Sequence, residues 1–263
     1  MPKVRVGDIN LYYEIYGEGE PLVMINGAGA TVEWMYAFIP VYSSEYRVIL
    51  YDHRDTGKSD KTYTPHTIAT MSDDLAGLLD AIGIDSVHVQ GTSMGGMVAQ
   101  EFALRHPEKV RSLTLMVTHC GGTHYVAPQS TDISSILQLP QQEVTEALLR
   151  LFITKEFIEE NPNVFKQLIA FAQKHPIDPD ILSKQMQAIT THDTHDRLPE
   201  IKAATLIIAG DADRIVPVEN AHILASRIPH AELIIMKNAG HMLIEAAREV
   251  NRVTLDFLKR HKT

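Results

Sequence analysis

The stretch Val87–Gly96, VHVQGTSMGG, decides the fold of this chain. The apolar run Val87–Gln90 predicts a short strand, and apolar spacing from Met94 to His106 predicts a helix. Between them lies the pattern G-x-S-x-G, in which two glycines let the backbone reverse sharply around a central serine. An ordinary glycine-rich turn is the alternative, but the strand and helix on either side favour an exposed, nucleophilic Ser93.

The same alternation of strands and helices extends outward from this turn. Apolar or alternating runs predict strands at Lys3–Val6, Leu11–Tyr16, Leu22–Ile25, Tyr46–Tyr51, Leu113–Val117, Thr205–Ala209 and Glu232–Met236. Helical spacing predicts a helix that Ser72 caps and Gly83 ends, a second at Glu219–Arg227 and a last at Glu245–Lys259. Strands that alternate with helices indicate an α/β fold with a mostly parallel sheet flanked by helices.

The pattern changes between residues 122 and 199, where the sequence predicts no strand. Helical spacing covers Glu143–Ile153, Pro162–Lys174 and Pro179–Ile189 instead. We therefore predict one α/β core formed by residues 1–121 and 200–263. A helical cap formed by residues 122–199 interrupts it.

A serine nucleophile needs a general base, and the base needs a group that orients it. Two later strands end at polar segments, GDADRIVP at 210–217 and NAGH at 238–241. Function collects at such strand ends in α/β sheets, so His241 is the predicted base and Asp213 its partner. Asp211 is the rival acid, but an aspartate there is better suited to accept hydrogen bonds from turn amides.

On these residues the chain resembles the α/β-hydrolase family over essentially its whole length. Within that family it is similar to esterases, enol-lactonases and cofactor-free haloperoxidases. The segment 51–59, YDHRDTGKS, is similar to the family's D-x-R-G-x-G-x-S turn, with Asp55 where glycine is usual. The resemblance implies an eight-stranded sheet with a helical cap inserted after the sixth strand.

The resemblance also implies an oxyanion hole. One donor is expected to be the Met94 amide, directly after the nucleophile. By family position, the second is the Ala28 amide in the loop 26–30, NGAGA. Asn26 stands where the family usually has histidine. A donor that is a backbone amide does not depend on this difference.

A substrate pocket is expected between the sheet edge and the cap. Trp34, His119 and Cys120 are candidates from the core. Candidates from the insert are Leu137, Leu139, Leu151, Phe152, Phe165 and Phe171. Packing within the core or the cap is the alternative role for each of them.

Composition excludes several other classes of protein. The chain has 263 residues and a net charge of −9, so binding to a nucleic-acid backbone is not expected. With one cysteine and neither a signal sequence nor an apolar run that could span a bilayer, a cytoplasmic location is expected. His192 and His195 are the one candidate metal pair, but no metalloprotease pattern accompanies them, so neither metal nor cofactor is expected. The sequence leaves a homo-oligomer open.

Together these features predict a serine hydrolase that acts on carboxylic esters or lactones through an acyl-enzyme intermediate. C–C bond hydrolysis, perhydrolysis and acyl transfer use the same three residues and stay open as alternatives. A non-catalytic small-molecule receptor on the same scaffold is the alternative from another class of protein.

Overall fold

One eight-stranded sheet organises the computed structural model, which describes residues 2–62, 64–129, 135–136 and 138–262. Its strands are β1 Lys3–Val6, β2 Ile9–Tyr16, β3 Glu20–Ile25, β4 Tyr46–Tyr51, β5 Val87–Thr92, β6 Val110–Met116, β7 Ala204–Gly210 and β8 Glu232–Met236. Their order is β1-β2-β4-β3-β5-β6-β7-β8. The β1–β2 and β2–β4 pairs are antiparallel, and all others are parallel. The predicted eight-stranded, mostly parallel sheet is confirmed.

Nine α-helices lie in the described part of the chain. They are α1 Ile39–Tyr42, α2 Ile68–Ala81, α3 Met94–Arg105, α4 Gln141–Phe152, α5 Lys155–Glu160, α6 Pro162–Lys174, α7 Pro179–Thr190, α8 Glu219–Arg227 and α9 Ala247–Arg260. Helices α4 to α7 all fall between β6 and β7, which is the predicted place of the helical insert. None of the described helices is both long and apolar enough to cross a bilayer.

Both faces of the central strands are buried, because successive side chains point to opposite faces. In β3, Val23 and Ile25 pack into a cluster that includes residues of α2, α3 and α8. The intervening Leu22 and Met24 pack with Tyr42 of α1 and other residues on the opposite face. The sheet is therefore a middle layer, and its carboxyl edge is the place where the loops after its strands meet.

The predicted start of α2 is wrong. Thr67, with extended backbone, caps the helix by accepting a hydrogen bond from the Thr70 amide at 3.1 Å. The Thr70 hydroxyl oxygen in turn accepts a hydrogen bond from the Thr67 amide, which completes a capping box. Ser72 lies inside the helix and is fully buried, since the helix begins one turn earlier than its apolar pattern indicated. Helix α5 was not predicted.

A buried ion pair ties the turn after β4 to α2. Arg54 Nε and Nη2 donate to Asp74 Oδ2 and Oδ1 at 2.6 and 2.7 Å, and both side chains are buried. A similar bidentate pair joins Arg105 to Asp73, the neighbouring residue on α2, but there both side chains are exposed. The two pairs differ mainly in burial.

We expect Asp74→Ala to lower the free energy of unfolding by about 3–5 kcal/mol, because it leaves the Arg54 guanidinium buried without its main partner. Asp73→Ala is the matched control and should cost about 0–1 kcal/mol, the usual value of an exposed pair. Urea unfolding of both variants measures the difference. Equal losses would contradict burial as the deciding factor.

Three histidines are buried near the loops of the carboxyl edge. Burial lowers the pKa of His53 to about 4, of His119 to about 3 and of His192 to about 4. Each is therefore neutral in the folded chain down to acidic pH, whereas in the unfolded chain it binds a proton below about pH 6.5. The unfolded state then holds more protons, so the free energy of unfolding decreases as pH decreases from 6.5 towards 4.

We expect each of these histidines to contribute a loss of about 2 kcal/mol between pH 7 and pH 5. His53→Gln removes one titrating group and keeps a donor for the Asn26 carbonyl, which His53 Nε2 contacts at 3.2 Å. Urea unfolding at the two pH values should therefore show a smaller loss in the variant, by about 2 kcal/mol. An unchanged pH dependence would contradict a neutral, buried His53.

Candidate active site

The reversal between β5 and α3 places Ser93 in an unusual backbone conformation, with φ of 56° and ψ of −121°. The residues two positions before and after Ser93 are glycines because backbone atoms approach them closely. A Cβ on Gly91 would lie 2.3 Å from the Gly95 carbonyl oxygen, and one on Gly95 would lie 2.3 Å from the Ile25 carbonyl oxygen. The Ser93 amide donates to the Met116 carbonyl at 2.9 Å, which fastens the turn to the end of β6.

The structure brings Ser93, His241 and Asp213 into one hydrogen-bonded chain. His241 Nε2 lies 3.1 Å from Ser93 Oγ, and His241 Nδ1 lies 2.7 Å from Asp213 Oδ2. Asp213 and His241 are almost fully buried, whereas Ser93 is only half-buried. The order of a nucleophile, a base and an orienting carboxylate is the order that nucleophilic catalysis requires.

The Asp213 carboxylate is fixed from both sides. Its Oδ1 accepts hydrogen bonds from the amides of Ile215 and Val216 at 2.8 and 2.9 Å, while Oδ2 faces His241. These contacts offset the cost of burying a charged carboxylate. They also hold Oδ2 within hydrogen-bond distance of His241 Nδ1, where it can select one tautomer of the imidazole.

The rival acid, Asp211, is exposed and points elsewhere. Its Oδ1 accepts a hydrogen bond from the Asn238 amide at 2.7 Å, between the loops that follow β7 and β8. That is the turn-stabilising contact expected for this position. Asp213 is thus the carboxylate that contacts His241.

The loop 26–30 after β3 lies directly against the nucleophile. A Cβ on Gly27 would be 3.4 Å from Ser93 Cβ and 3.9 Å from its Oγ. Among the hydrogen bonds between described residues, neither the Ala28 nor the Met94 amide acts as a donor. Both are therefore available as the two backbone donors of the predicted oxyanion hole. The Asn26 side chain is buried, and neither its Nδ2 nor its Oδ1 has a hydrogen-bond partner among the described residues.

The turn after β4 supports this loop from the core. Asp52 Oδ1 accepts from the Val32 amide and Oδ2 from the Lys58 amide, both at 2.8 Å. Burial raises the pKa of Asp52 to about 6, although the two hydrogen bonds act in the opposite direction and lower it. A Cβ on Gly57 would lie 2.2 Å from the same carboxylate, which explains why this turn contains glycine. The sequence motif marked the turn but not this role.

Several of the predicted pocket residues lie where the core meets the cap. Trp34 packs edge-on against Phe171 of α6, with ring centroids 5.0 Å apart. Phe152, at the end of α4, lies 5.6 Å from the His241 ring. Both belong to an apolar cluster of cap helices and the loop after β8, which also contains Phe165 and Met242. His241, the predicted base, therefore has an apolar side chain of the cap beside it.

The other pocket candidates are placed differently. His119 is buried, stacks on Tyr125 at 3.9 Å and lies close enough to His241 for the two to interact electrostatically. The Cys120 side chain belongs to the main hydrophobic core, and burial raises the pKa of its thiol to about 11. Leu139 is 39% exposed and lies outside the cluster around Trp34. Leu137 lies outside the described residues.

His192 and His195, the histidine pair at which no metal is expected from the sequence, lie in different surroundings. His192 is buried and contacts Thr194, whereas the exposed His124 ring stacks on His195 at 3.5 Å with an interplanar angle of 11°. Within the described ranges, His124, His195 and Asp196 form one group with ligand atoms within 4.8 Å of one another. Nitrogen lone pairs of parallel stacked rings do not converge on one ion, so this arrangement does not fit a metal centre.

Comparisons with known proteins agree with this architecture. The family model for the alpha/beta hydrolase fold matches residues 20–247. A protein of Azorhizobium caulinodans, named provisionally as a carbamate hydrolase, is 30% identical over 98% of this chain and 98% of its own. The 2-hydroxy-6-oxo-6-phenylhexa-2,4-dienoate hydrolase of Comamonas testosteroni is 31% identical over 97% of this chain and 93% of its own.

Among solved structures, an enzyme described as degrading N-acyl homoserine lactones is 28% identical and superposes with a TM-score of 0.82. The match covers 97% of this chain and 100% of that one. Sheet order, helical insert and family match agree from one end of the fold to the other. This chain is a member of the α/β-hydrolase family.

Proposed function

We propose that this hydrolase cleaves carboxylic esters or lactones through a covalent acyl-enzyme on Ser93. The observation that carries the proposal is the unbroken chain of contacts from Ser93 Oγ through His241 to Asp213, at 3.1 and 2.7 Å. An arrangement of this kind at a strand-to-helix turn is the established geometry of an activated serine nucleophile.

In the first half of the reaction, His241 Nε2 takes the proton from Ser93 Oγ as the oxygen attacks the substrate carbonyl carbon. The electron pair of the carbonyl moves onto its oxygen, which gives a tetrahedral intermediate. As that intermediate collapses, the C–O bond to the alcohol breaks. The protonated His241 then donates Nε2–H to the departing oxygen, and the acyl group remains on Ser93.

Water completes the cycle by the same route in reverse. His241 Nε2 takes one proton from water, and the resulting hydroxide attacks the acyl carbon. The second tetrahedral intermediate releases the carboxylic acid, and Ser93 Oγ recovers its proton from His241. Asp213 accepts the Nδ1–H hydrogen bond throughout and stabilises the imidazolium in both halves.

The negative oxygen of both intermediates needs donors that are already in place. We assign this role to the amides of Ala28 and Met94, on the loop after β3 and at the start of α3. Loss of one such donor costs about 10²- to 10³-fold in rate in other serine hydrolases. Both are backbone groups, so the assignment does not depend on Asn26 replacing the histidine usual in the family.

C–C bond hydrolysis is the second candidate, and the similarity to the Comamonas dienoate hydrolase favours it. Carbamate cleavage stands beside it through the Azorhizobium relative. Each uses the same nucleophile and base and differs in the leaving group that must be protonated. A panel of substrates therefore has to contain a p-nitrophenyl ester series from acetate to decanoate, a lactone, a carbamate and a dienoate ring-fission product.

We expect the wild-type chain to hydrolyse members of the ester series and Ser93→Ala to lose that activity completely. Because Ser93 is half-buried at a turn, the variant should keep the circular dichroism spectrum and unfolding midpoint of the wild type. A fluorophosphonate probe, which loses fluoride to the attacking serine oxygen, should label the wild type and not the variant.

The panel separates the alternatives. Hydrolysis of the dienoate without ester hydrolysis would replace the ester proposal by C–C bond cleavage, and preference for the carbamate would replace it by carbamate cleavage. No turnover and no labelling would contradict an enzyme and leave a receptor. Unfolding of Ser93→Ala would contradict the placement of Ser93 at an exposed turn.

We expect Asp213→Asn to lower kcat by about 10⁴-fold, since an amide in this place no longer selects and stabilises the correct protonation state of His241. Asp211→Asn is the matched control, two residues away on the same loop, and should keep most of the wild-type kcat. Steady-state kinetics on the best ester measures both. The reverse order would make Asp211 the acid of the triad.

A further inference from the structure

The cap reaches into the loop that carries one of the assigned oxyanion donors. Gln185 of α7 is fully buried, and its Oε1 accepts a hydrogen bond from the Gly29 amide at 2.6 Å. Its Nε2 donates to Thr56 Oγ1 at 3.1 Å, in the turn after β4. One side chain of the cap therefore joins two loops of the core, and one of them adjoins the nucleophile.

A second residue of the cap, Ile177, packs closely against Gly29. Gly29 has a φ of 73°, and a Cβ placed on it would lie 2.5 Å from Ile177 Cγ2. The side chain of Ile177, which precedes α7, thus fills the space over the glycine. The residue next to Ala28 is held by a hydrogen bond to Gln185 and covered by Ile177.

The remaining anchors of this loop come from the core. Its far end is fixed by the contact of the Val32 amide with Asp52, and its near end continues from β3. The Ala30 amide also bonds to the Gly27 carbonyl at 3.3 Å, which closes a tight turn within the loop. Between these anchors, the direction of the Ala28 amide depends on the peptide groups beside it, including the one that Gln185 holds.

We propose that Gln185 is a positioning residue for the reaction. By holding the Gly29 amide, it sets the peptide on the carboxyl side of Ala28 and so directs the Ala28 N–H at the developing oxyanion. The effect is expected in the transition state more than in substrate binding, because charge on that oxygen appears only there. This inference rests on the proposed function, since it assigns Gln185 to the same oxyanion hole.

Gln185→Met tests the proposal, because methionine has a similar length and offers no acceptor to Gly29. On the best ester of the series, kcat should decrease by about 10-fold or more, with KM within about 3-fold of the wild type. The second readout does not depend on activity. Amide hydrogen exchange measured by NMR should show that Gly29 loses protection in the variant.

Lys184→Met is the matched control on the same helix. Lys184 also joins the cap to the core, by donating to the Thr62 carbonyl at 2.9 Å and lying 3.7 Å from Asp55, but it does not contact the loop 26–30. This variant should keep the wild-type kcat and the Gly29 protection. An equal loss of kcat in both variants would show general weakening of the cap and overturn the positioning role.

The remaining outcomes are also decisive. Lost Gly29 protection with an unchanged kcat overturns the positioning role, and retained protection in Gln185→Met overturns the tether itself. A wild-type chain that neither hydrolyses esters nor reacts with fluorophosphonate overturns the proposed function first, and the positioning role with it. If Gln185→Met does not fold, Thr56→Val takes its place, since it removes the group that orients the Gln185 amide. Wild-type kcat and Gly29 protection in Thr56→Val then overturn the proposal.

Discussion

The close approach of three backbone segments at Gly91, Ser93 and Gly95 is the constraint on which the site depends. Carbonyl groups of the elbow and of β3 come within 2.3 Å of where side-chain carbons would stand, so a larger residue at Gly91 or Gly95 would force the segments apart. Ser93 has a positive φ, and this strained conformation holds its half-buried hydroxyl at a helix N-terminus. Moving the end of β3 would separate Ser93 from the loop 26–30, which carries the proposed donor Ala28.

A parallel arrangement of the central strands brings the other groups to that point. Strands β3, β5, β7 and β8 all end at the same edge, so the loop 26–30, Ser93, Asp213 and His241 arrive on four connections at that edge. Short loops from rigid strands hold such groups more precisely than long loops would. Asp213 is likewise fixed by its own short loop, because the two amides that donate to its carboxylate belong to the turn that carries it.

Local patterns with strict geometry were readable from the sequence. G-x-S-x-G, the two later strand ends and the helical insert each follow from short-range rules, and they predicted the fold and the three residues that meet in the site. Ser72 was a wrong choice of helix cap because a serine before two acidic residues and an apolar run is a common pattern at a helix start. The hydrogen bonds between Thr67 and Thr70 decide the boundary instead. The contact between Gly29 and Gln185 spans 156 positions of the chain, so spacing alone gave no signal for it. Spacing also gave no signal that the Cys120 side chain packs in the main hydrophobic core.

In the proposed reaction, the cap contributes at two places. At one of them, Phe152 lies beside His241, and an apolar neighbour strengthens the hydrogen bond between His241 and Asp213. At the other, Gln185 holds the loop 26–30, which carries the Ala28 amide that we assign as an oxyanion donor. The proposed deacylation needs one water beside His241, so the cap is expected to exclude bulk solvent and still admit that molecule. A tether at Gln185 is compatible with both needs, since it fixes α7 at the loop 26–30 and does not involve α4, whose Phe152 lies beside His241.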